Sequence, residues 1–470
     1  MTLFLRPEKS LRVAELCARR AVLGVATLTL RIMAVQLDDA RNEIEIELDT
    51  ATFARRDATA VFGWAVLVTG VALGGRIVNE SFATKVLAPP LLGRFDLRIG
   101  PATLLTATVA VMVVWWGPRV ATTIPWRVLL VVTSVVAALW AVSLALVDGV
   151  DALTAPLAGP HDYLASVGRV DAPGVFLESF VDRLDTFSLH VQGHPPGMVL
   201  TLWGLAQVGL GGPNWATVLV IASGASTSAA LLLVVKSMAG EFPARNLAPF
   251  LVLSPAAIWI ATSADAFFMG VGAWGMALLA LGAQRRSDYL ALGGGIVLGL
   301  LLFLSYGAVA LGPVVLVVAL AHRSLRPLLV ASAGVLAVTL LFAAEGFWWF
   351  EGLSGTVARY EAGVSSQRPL AWFALANLGA LALVVGPATA IGLTRLRRAP
   401  AAALTWAALA GVLAANLSGL SKGEVERIWL IFVPWILVVC ASFDLRRARG
   451  MLALQGLVVL AIQSGVRTPW

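Results

Sequence analysis

Residues 126–147 read WRVLLVVTSVVAALWAVSLALV, a run whose one charge, Arg127, stands at its second position. A helix needs about 20 predominantly apolar residues to cross the ~30 Å hydrocarbon core of a bilayer. The run follows Arg119 and ends at Asp148 and Asp151. Lys and Arg concentrate in cytoplasmic loops, so the sequence predicts a crossing from inside to outside. Outward from it, further apolar runs lie at 60–77, 101–117, 214–235, 247–263, 266–283, 288–304, 307–321, 327–343, 370–392, 401–419, 428–443 and 450–466. The expected fold class is all-α, a polytopic helical membrane protein with about 13 transmembrane helices.

Composition agrees. Of 470 residues, 59% are hydrophobic and 13% charged, against roughly 45–50% and about 25% in soluble domains. A soluble enzyme is excluded. The net charge of +7 resides largely in short clusters between apolar runs, so no nucleic acid is needed as a partner to explain it. Cys17 and Cys440 imply neither a disulfide framework nor a thiolate metal site. Four lysines among 34 basic residues, with abundant Ala, Val and Gly, are the composition of a GC-rich bacterial genome. The expected location is a bacterial plasma membrane with the N-terminus cytoplasmic.

Residues 1–58 read as a cytoplasmic N-terminal segment with an interfacial helix at Ala21–Leu37, interrupted by Arg31 and followed by the acidic run Asp38–Asp49. No small-residue cleavage pattern marks it as a signal peptide. Residues 59–470 form the membrane domain. Its basic clusters, Arg119/Arg127, Lys236/Arg245, Arg285/Arg286, His322/Arg323/Arg326, Arg395/Arg397/Arg398 and Arg446/Arg447/Arg449, can all face the cytoplasm only if the run 196–212 lies in the outer interface instead of crossing. Residues 148–213 then become one long extracytoplasmic loop with juxtamembrane helices, the candidate active-site segment; connections between helices usually run 2–8 residues. Segments 344–369 and 420–427 share that side, as does 78–100 despite Arg76, Lys85, Arg94 and Arg98.

Three of the four histidines, His161, His190 and His194, fall in 148–213 with Asp148, Asp151, Asp162, Asp171, Glu178, Asp182 and Asp185. Gly193-His194-Pro195-Pro196-Gly197 opens the interfacial helix, where prolines cost no hydrogen bond and the following N–H groups suit a phosphate. Asp162 is a candidate base or, after Gly159-Pro160, a turn carboxylate; Asp148 and Asp151 compete for the catalytic role. Asp265 stands at the outer end of a run, placed to orient an acceptor or a metal. Ser421-Lys422-Gly423-Glu424-Val425-Glu426-Arg427 puts Lys422, Glu424 and Arg427 at the same surface, where Lys422 and Arg427 would neutralise a phosphate or form a solvated network. Histidine and carboxylate suit zinc or manganese, but Gly193 and Pro195 break the i, i+4 spacing of His190 and His194; no cofactor is fixed and a divalent metal stays open. The aromatic run Phe347–Phe350 reads as an interfacial belt, and Tyr163 and Tyr306 as cavity-lining or core residues.

An acidic residue in the first long outer loop followed by His-Pro-Pro at the head of a juxtamembrane helix resembles the GT-C class of membrane glycosyltransferases, such as protein O-mannosyltransferases and aminoarabinose transferases. Asp162 matches the acidic position and His194-Pro195-Pro196 the His-Pro-Pro; Tyr163 replaces the second acid of the common pair, and Gly197 the usual Leu. The resemblance spans residues 160–270. It implies Asp162 as catalytic base and His194 in the matching motif; His161, Asp265, Lys422, Glu424 and Arg427 join His194 as candidate substrate-binding residues on their own chemistry. It also implies a polyprenyl-phosphate-linked sugar donor and a glycan or lipid acceptor on the extracytoplasmic face, with membrane lipids around the spans. The alternative expectation is a transporter or flippase of lipid-linked sugars, which would place broken helices or ionisable groups at mid-membrane.

Overall fold

In a computed structural model of the protein, residues 55–82, 86–399, 401–446 and 448–470 are described. The expected interfacial helix Ala21–Leu37, the acidic run after it and Cys17 lie outside them. The described chain is helical apart from one two-stranded ladder, Arg94–Phe95 with Val466–Arg467. The principal helices are α1 (Arg55–Phe82), α2 (Pro101–Thr123), α3 (Trp126–Ala145), α4 (Gly197–Gln207), α5 (Pro213–Ala239), α6 (Glu241–Val252), α7 (Asp265–Arg285) and α8 (Asp288–Leu302). They continue as α9 (Gly312–Leu320), α10 (Arg326–Ala344), α11 (Trp349–Ala362), α12 (Leu370–Leu393), α13 (Ala402–Leu417), α14 (Val425–Ile428), α15 (Val433–Leu437) and α16 (Arg449–Gly465).

Among the described residues seven helices, α1, α2, α3, α5, α7, α10 and α12, are long and apolar enough to cross a membrane, and residues 425–442, bent by 76°, make an eighth if they form one span. The chain is thus a helical membrane-spanning protein. The remaining expected spans are shorter. Run 247–263 is not one helix: α6 stops at Val252, and a 3-10 turn follows over Pro255–Trp259. Ser254, held extended at φ −60° and ψ 135°, breaks the run, as the residue before a proline is driven out of the helical region. Helix α4, 11 residues long, reaches only about 16 Å at 1.5 Å per residue, too short to cross.

The bundle has two chemically distinct ends. At one end, Arg245 donates to the carbonyls of Ala121 and Ile124, Arg326 pairs with Asp288, Arg395 pairs with Asp57, and Arg449 lies over Trp115. This is the end of the basic clusters. At the other, Asp148 joins Arg98, Gln463 and Arg467, and the 148–213 segment covers the helix ends. That segment is a packed cap of short helical turns. Phe176, Phe180 and Phe187 form its core, and Phe347 joins them edge-on to Phe180 at 5.6 Å between centroids. The aromatic run is therefore divided: Phe347 is 1% exposed and Trp349 donates to the carbonyl of Leu302, whereas Trp348 and Phe350 are 48% and 62% exposed.

Helices α8 and α10 meet through small residues. A Cβ at Gly295 would lie 2.0 Å from the carbonyl oxygen of Ala331, and one at Gly334 2.7 Å from the nitrogen of Ile296. Such contact lets backbones approach where lipid offers no hydrophobic drive to association. Helix α12 contains a different device. Gly386, at φ 76°, interrupts the helix before Pro387, and the buried amide of Gln455 on α16 accepts from the N–H of Ala388 and donates to the carbonyl of Val385. One side chain thereby satisfies the backbone groups freed by the break, as a lipid-embedded helix requires. We expect Gly295→Leu to prise α8 from α10 and Gln455→Leu to leave the buried Ala388 N–H unpaired, the latter costing about 1–3 kcal/mol, since the Val385 carbonyl keeps the Thr389 hydroxyl. Both would appear as lower unfolding temperatures of the purified protein in detergent, with Gly293→Leu, at a position with open space around it, as the neutral control.

Candidate functional site

Where the cap meets the bundle, one turn from the cap and the ends of α7 and α14 converge. The turn Gly159–Asp162 closes by a hydrogen bond from the Asp162 N–H to the Gly159 carbonyl. Asp162, 6% exposed, then accepts from the Tyr163 N–H at 2.7 Å through Oδ1 and faces His190 Nδ1 at 2.9 Å through Oδ2. The His190 backbone N–H is anchored on the carbonyl of His161. On its other side His190 Nε2 lies 3.3 Å from the Arg427 guanidinium. Arginine can only donate, so Nε2 is the acceptor and the ring is the neutral tautomer with its proton on Nδ1 toward Asp162.

Arg427 is buried at 5% exposure and held on several sides. Its Nη1 donates to Asp265 Oδ2 at 2.9 Å, its Nη2 to Glu424 Oε2 at 2.8 Å, and its plane lies over the ring of Trp470 at 4.4 Å. Asp265, the first residue of α7, also accepts from Ser263 Oγ at 2.8 Å. Glu424 sits in the left-handed region at φ 63° directly after Gly423 at φ 98°. A non-glycine residue held there costs about 1–3 kcal/mol. The turn sets Glu424 three residues before Arg427, within ion-pair distance. Among the described residues, Arg427 Nε and the indole nitrogen of Trp470 are buried without a hydrogen-bond partner, so Arg427 keeps one donor in reserve.

The His-Pro-Pro-Gly string is packed against the bundle. His194 Nδ1 bonds the carbonyl of His190 at 2.8 Å, and the ring packs against Tyr163 and Phe268. Burial pushes its pKa down to about 4, so the ring is neutral. Burial likewise raises the pKa of the Tyr163 hydroxyl well above its ordinary value. The first N–H of α4, that of Gly197, donates to the Phe303 carbonyl at 2.9 Å, and a Cβ on Gly197 would lie 2.3 Å from that oxygen. This N–H is therefore not free for a phosphate. Glycine at this position has a steric reason: only glycine lets α4 seat its first turn on the end of α8.

The structure brings together Asp162, His194, Asp265, Glu424 and Arg427 of the residues singled out from the sequence. His161 contributes its carbonyl while its side chain is exposed. Lys422 is apart: its ammonium donates to the Ser366 carbonyl and its own carbonyl accepts from Arg368, a tie between two loops. Asp148 is engaged by Arg98, Gln463 and Arg467, and Asp151 is exposed. His190 was legible only as one more histidine of the cap. Ser263 and Trp470 carried no sequence signal, since their place is set by long-range packing. Among the described residues no three His, Cys, Asp or Glu side chains converge as ligands for a metal. No family model and no curated protein matches the chain.

Two outcomes follow from this geometry. Arg427→Ala should destabilise the protein by about 3–5 kcal/mol, because it leaves the buried Asp265 carboxylate unpaired; Asp265→Asn should recover part of that loss in the double variant, read by thermal unfolding. The second concerns His194. With its folded pKa about 4 against an ordinary 6.5, the unfolded chain takes up a proton that the folded chain refuses. Stability contributed here is present above about pH 6.5 and falls as the pH drops toward 4. The unfolding temperature of His194→Gln should decline less steeply than that of wild type between pH 7 and pH 5.

Proposed function

We propose that the protein is a membrane glycosyltransferase that moves a sugar from a polyprenyl-phosphate carrier to an acceptor hydroxyl, at the bundle end that bears the cap. The observation carrying this reading is the relay Asp162···His190···Arg427, a carboxylate-backed neutral imidazole with a buried guanidinium at hydrogen-bond distance. It combines a proton acceptor with a fixed positive charge, the two groups that transfer from a phosphate leaving group requires. The resemblance of Asp162 and His194-Pro195-Pro196 to the GT-C pattern supports the same reading. So does the gathering of the basic clusters at the opposite end, which by the positive-inside preference supports an extracytoplasmic cap; we read the N-terminus as cytoplasmic and the membrane as a bacterial plasma membrane.

Asp162 already faces His190 through one oxygen and the Tyr163 N–H through the other. In this reading it therefore holds the imidazole with Nε2 as base, while the imidazole takes the proton. As the acceptor hydroxyl takes the place of Arg427 Nη2 at His190 Nε2, its oxygen attacks the anomeric carbon and Nε2 receives its proton, while the released Nη2 turns to the phosphate. The bond from that carbon to the phosphate oxygen breaks, and its electron pair leaves with the carrier phosphate. Arg427, kept in place by Asp265 and Glu424, meets the charge that develops there. Inversion follows from a single displacement.

Two breaks, at Gly386 and near Phe432, favour a second reading as a flippase of lipid-linked sugars. The freed groups at Gly386 are taken by Gln455, however, so this break presents no open polar site. Detergent-purified protein given a panel of polyprenyl-phosphate sugars separates the readings through donor consumption and release of carrier phosphate. We expect turnover, with Asp162→Asn and His190→Gln each lowering it ~10²–10⁴-fold and Arg427→Lys lowering it ~10²–10³-fold, while donor binding persists. Unchanged turnover in His190→Gln would remove the imidazole from the chemistry, and binding without turnover of any donor would favour the flippase.

A further inference from the structure

At the opposite end of the bundle, the turns joining α7 to α8 and α9 to α10 line an open polar cavity of ≈ 460 Å³. Its wall includes Arg286, Asp288, His322, Arg323, Ser324 and Arg326. Asp288, the one acid in the wall, is paired with the Arg326 guanidinium through both oxygens. Arg286 and Arg323 have no acidic partner among the described residues, so the cavity retains an excess of positive charge.

The backbone sharpens the assignment. Arg286 at φ 54° and Arg323 at φ 56° both adopt the left-handed conformation, which glycine takes without strain and a long side chain does not. Elsewhere this chain does use glycine at helix ends with positive φ, as at Gly240. A preference for basic residues at one membrane face accounts for arginine near these turns. It does not account for two arginines placed in left-handed conformation, one in each turn, lining one cavity. His322 belongs to the same wall, its Nε2 3.2 Å from Ser237 Oγ. Guanidinium groups present planar pairs of donors that match phosphate oxygens.

We propose that this cavity binds a phosphate group, held between Arg286 and Arg323 at the end of the bundle remote from Asp162. The site is independent of the glycosyl-transfer reading. Free phosphate and the phosphodiester of an anionic lipid headgroup share this chemistry, and the test distinguishes them.

The unfolding temperature of the full chain in detergent would be measured with sodium phosphate against sodium chloride at equal ionic strength, and with phosphatidylglycerol against phosphatidylcholine in mixed micelles. We expect a rise with phosphate, with phosphatidylglycerol, or with both; a rise with the lipid alone assigns the headgroup as the source. Arg286→Gly/Arg323→Gly relieves the left-handed strain while removing both charges, so it should fold at least as stably as wild type and lose the anion-dependent rise. Arg285→Gln, a neighbouring charge outside the cavity wall, should keep it. No rise with either anion in wild type would overturn the proposal. So would a full rise in the double glycine variant, or an equal loss in Arg285→Gln, which would mark the effect as bulk charge.

Discussion

A buried guanidinium in a membrane protein is tolerated only if its charge is answered locally, and Arg427 sets the terms for everything around it. Removing a charge from water costs several kcal/mol unless partners of good geometry replace the lost hydration. Asp265 and Glu424 supply the opposite charge and Trp470 covers the plane. Each partner comes from a different part of the chain: the head of α7, the turn before α14, and the strand-terminated C-terminal segment. The need to satisfy one arginine therefore ties together elements more than 160 residues apart.

That constraint also orders the cap. His190 can accept from Arg427 only as the tautomer protonated on Nδ1, and Asp162 stabilises that tautomer. The phenylalanine core of the cap and the clip of His194 onto the His190 carbonyl hold the ring in place. Preorganisation of this kind fixes the geometry of a polar cluster, and it places weight on packing residues far from its polar atoms. Gly197 is an example. It makes no polar side-chain contact, yet without its close approach to Phe303 the start of α4, and with it the His-Pro-Pro turn, could not sit where it does.

Membrane embedding explains the other recurring solution, in which polar side chains repair helices. Gln455 satisfies the break at Gly386, and Asn377 donates both to Asn416 and to the Ser421 carbonyl while accepting from the Gly423 N–H. The second of these fixes the turn from which Glu424 and Arg427 project. Backbone irregularity at these points is sustained because protein groups replace the water that lipid cannot provide.

The sequence by itself determined the class of fold, because a chain with 59% apolar residues and charges confined to short clusters has no soluble solution. Its charge clusters also placed the run 196–212 in the interface, and marked 148–213 as the segment where ionisable residues collect. Three things were decided only by the tertiary structure. Run 247–263 is broken at Ser254-Pro255, and α8, α13 and the 306–320 pair are short, since hydropathy reports burial but not where a helix ends. The aromatic run at 347–350 is split between core and exposed surface, since alternate residues of one short segment face different surroundings. Finally, the SKGEVER string is divided, with Lys422 bound to the 366 loop and Arg427 turned inward to Asp265 and His190. Adjacent residues share a locus in sequence, but a left-handed turn at Gly423-Glu424 sends their side chains to different partners, and those partners are brought near only by packing.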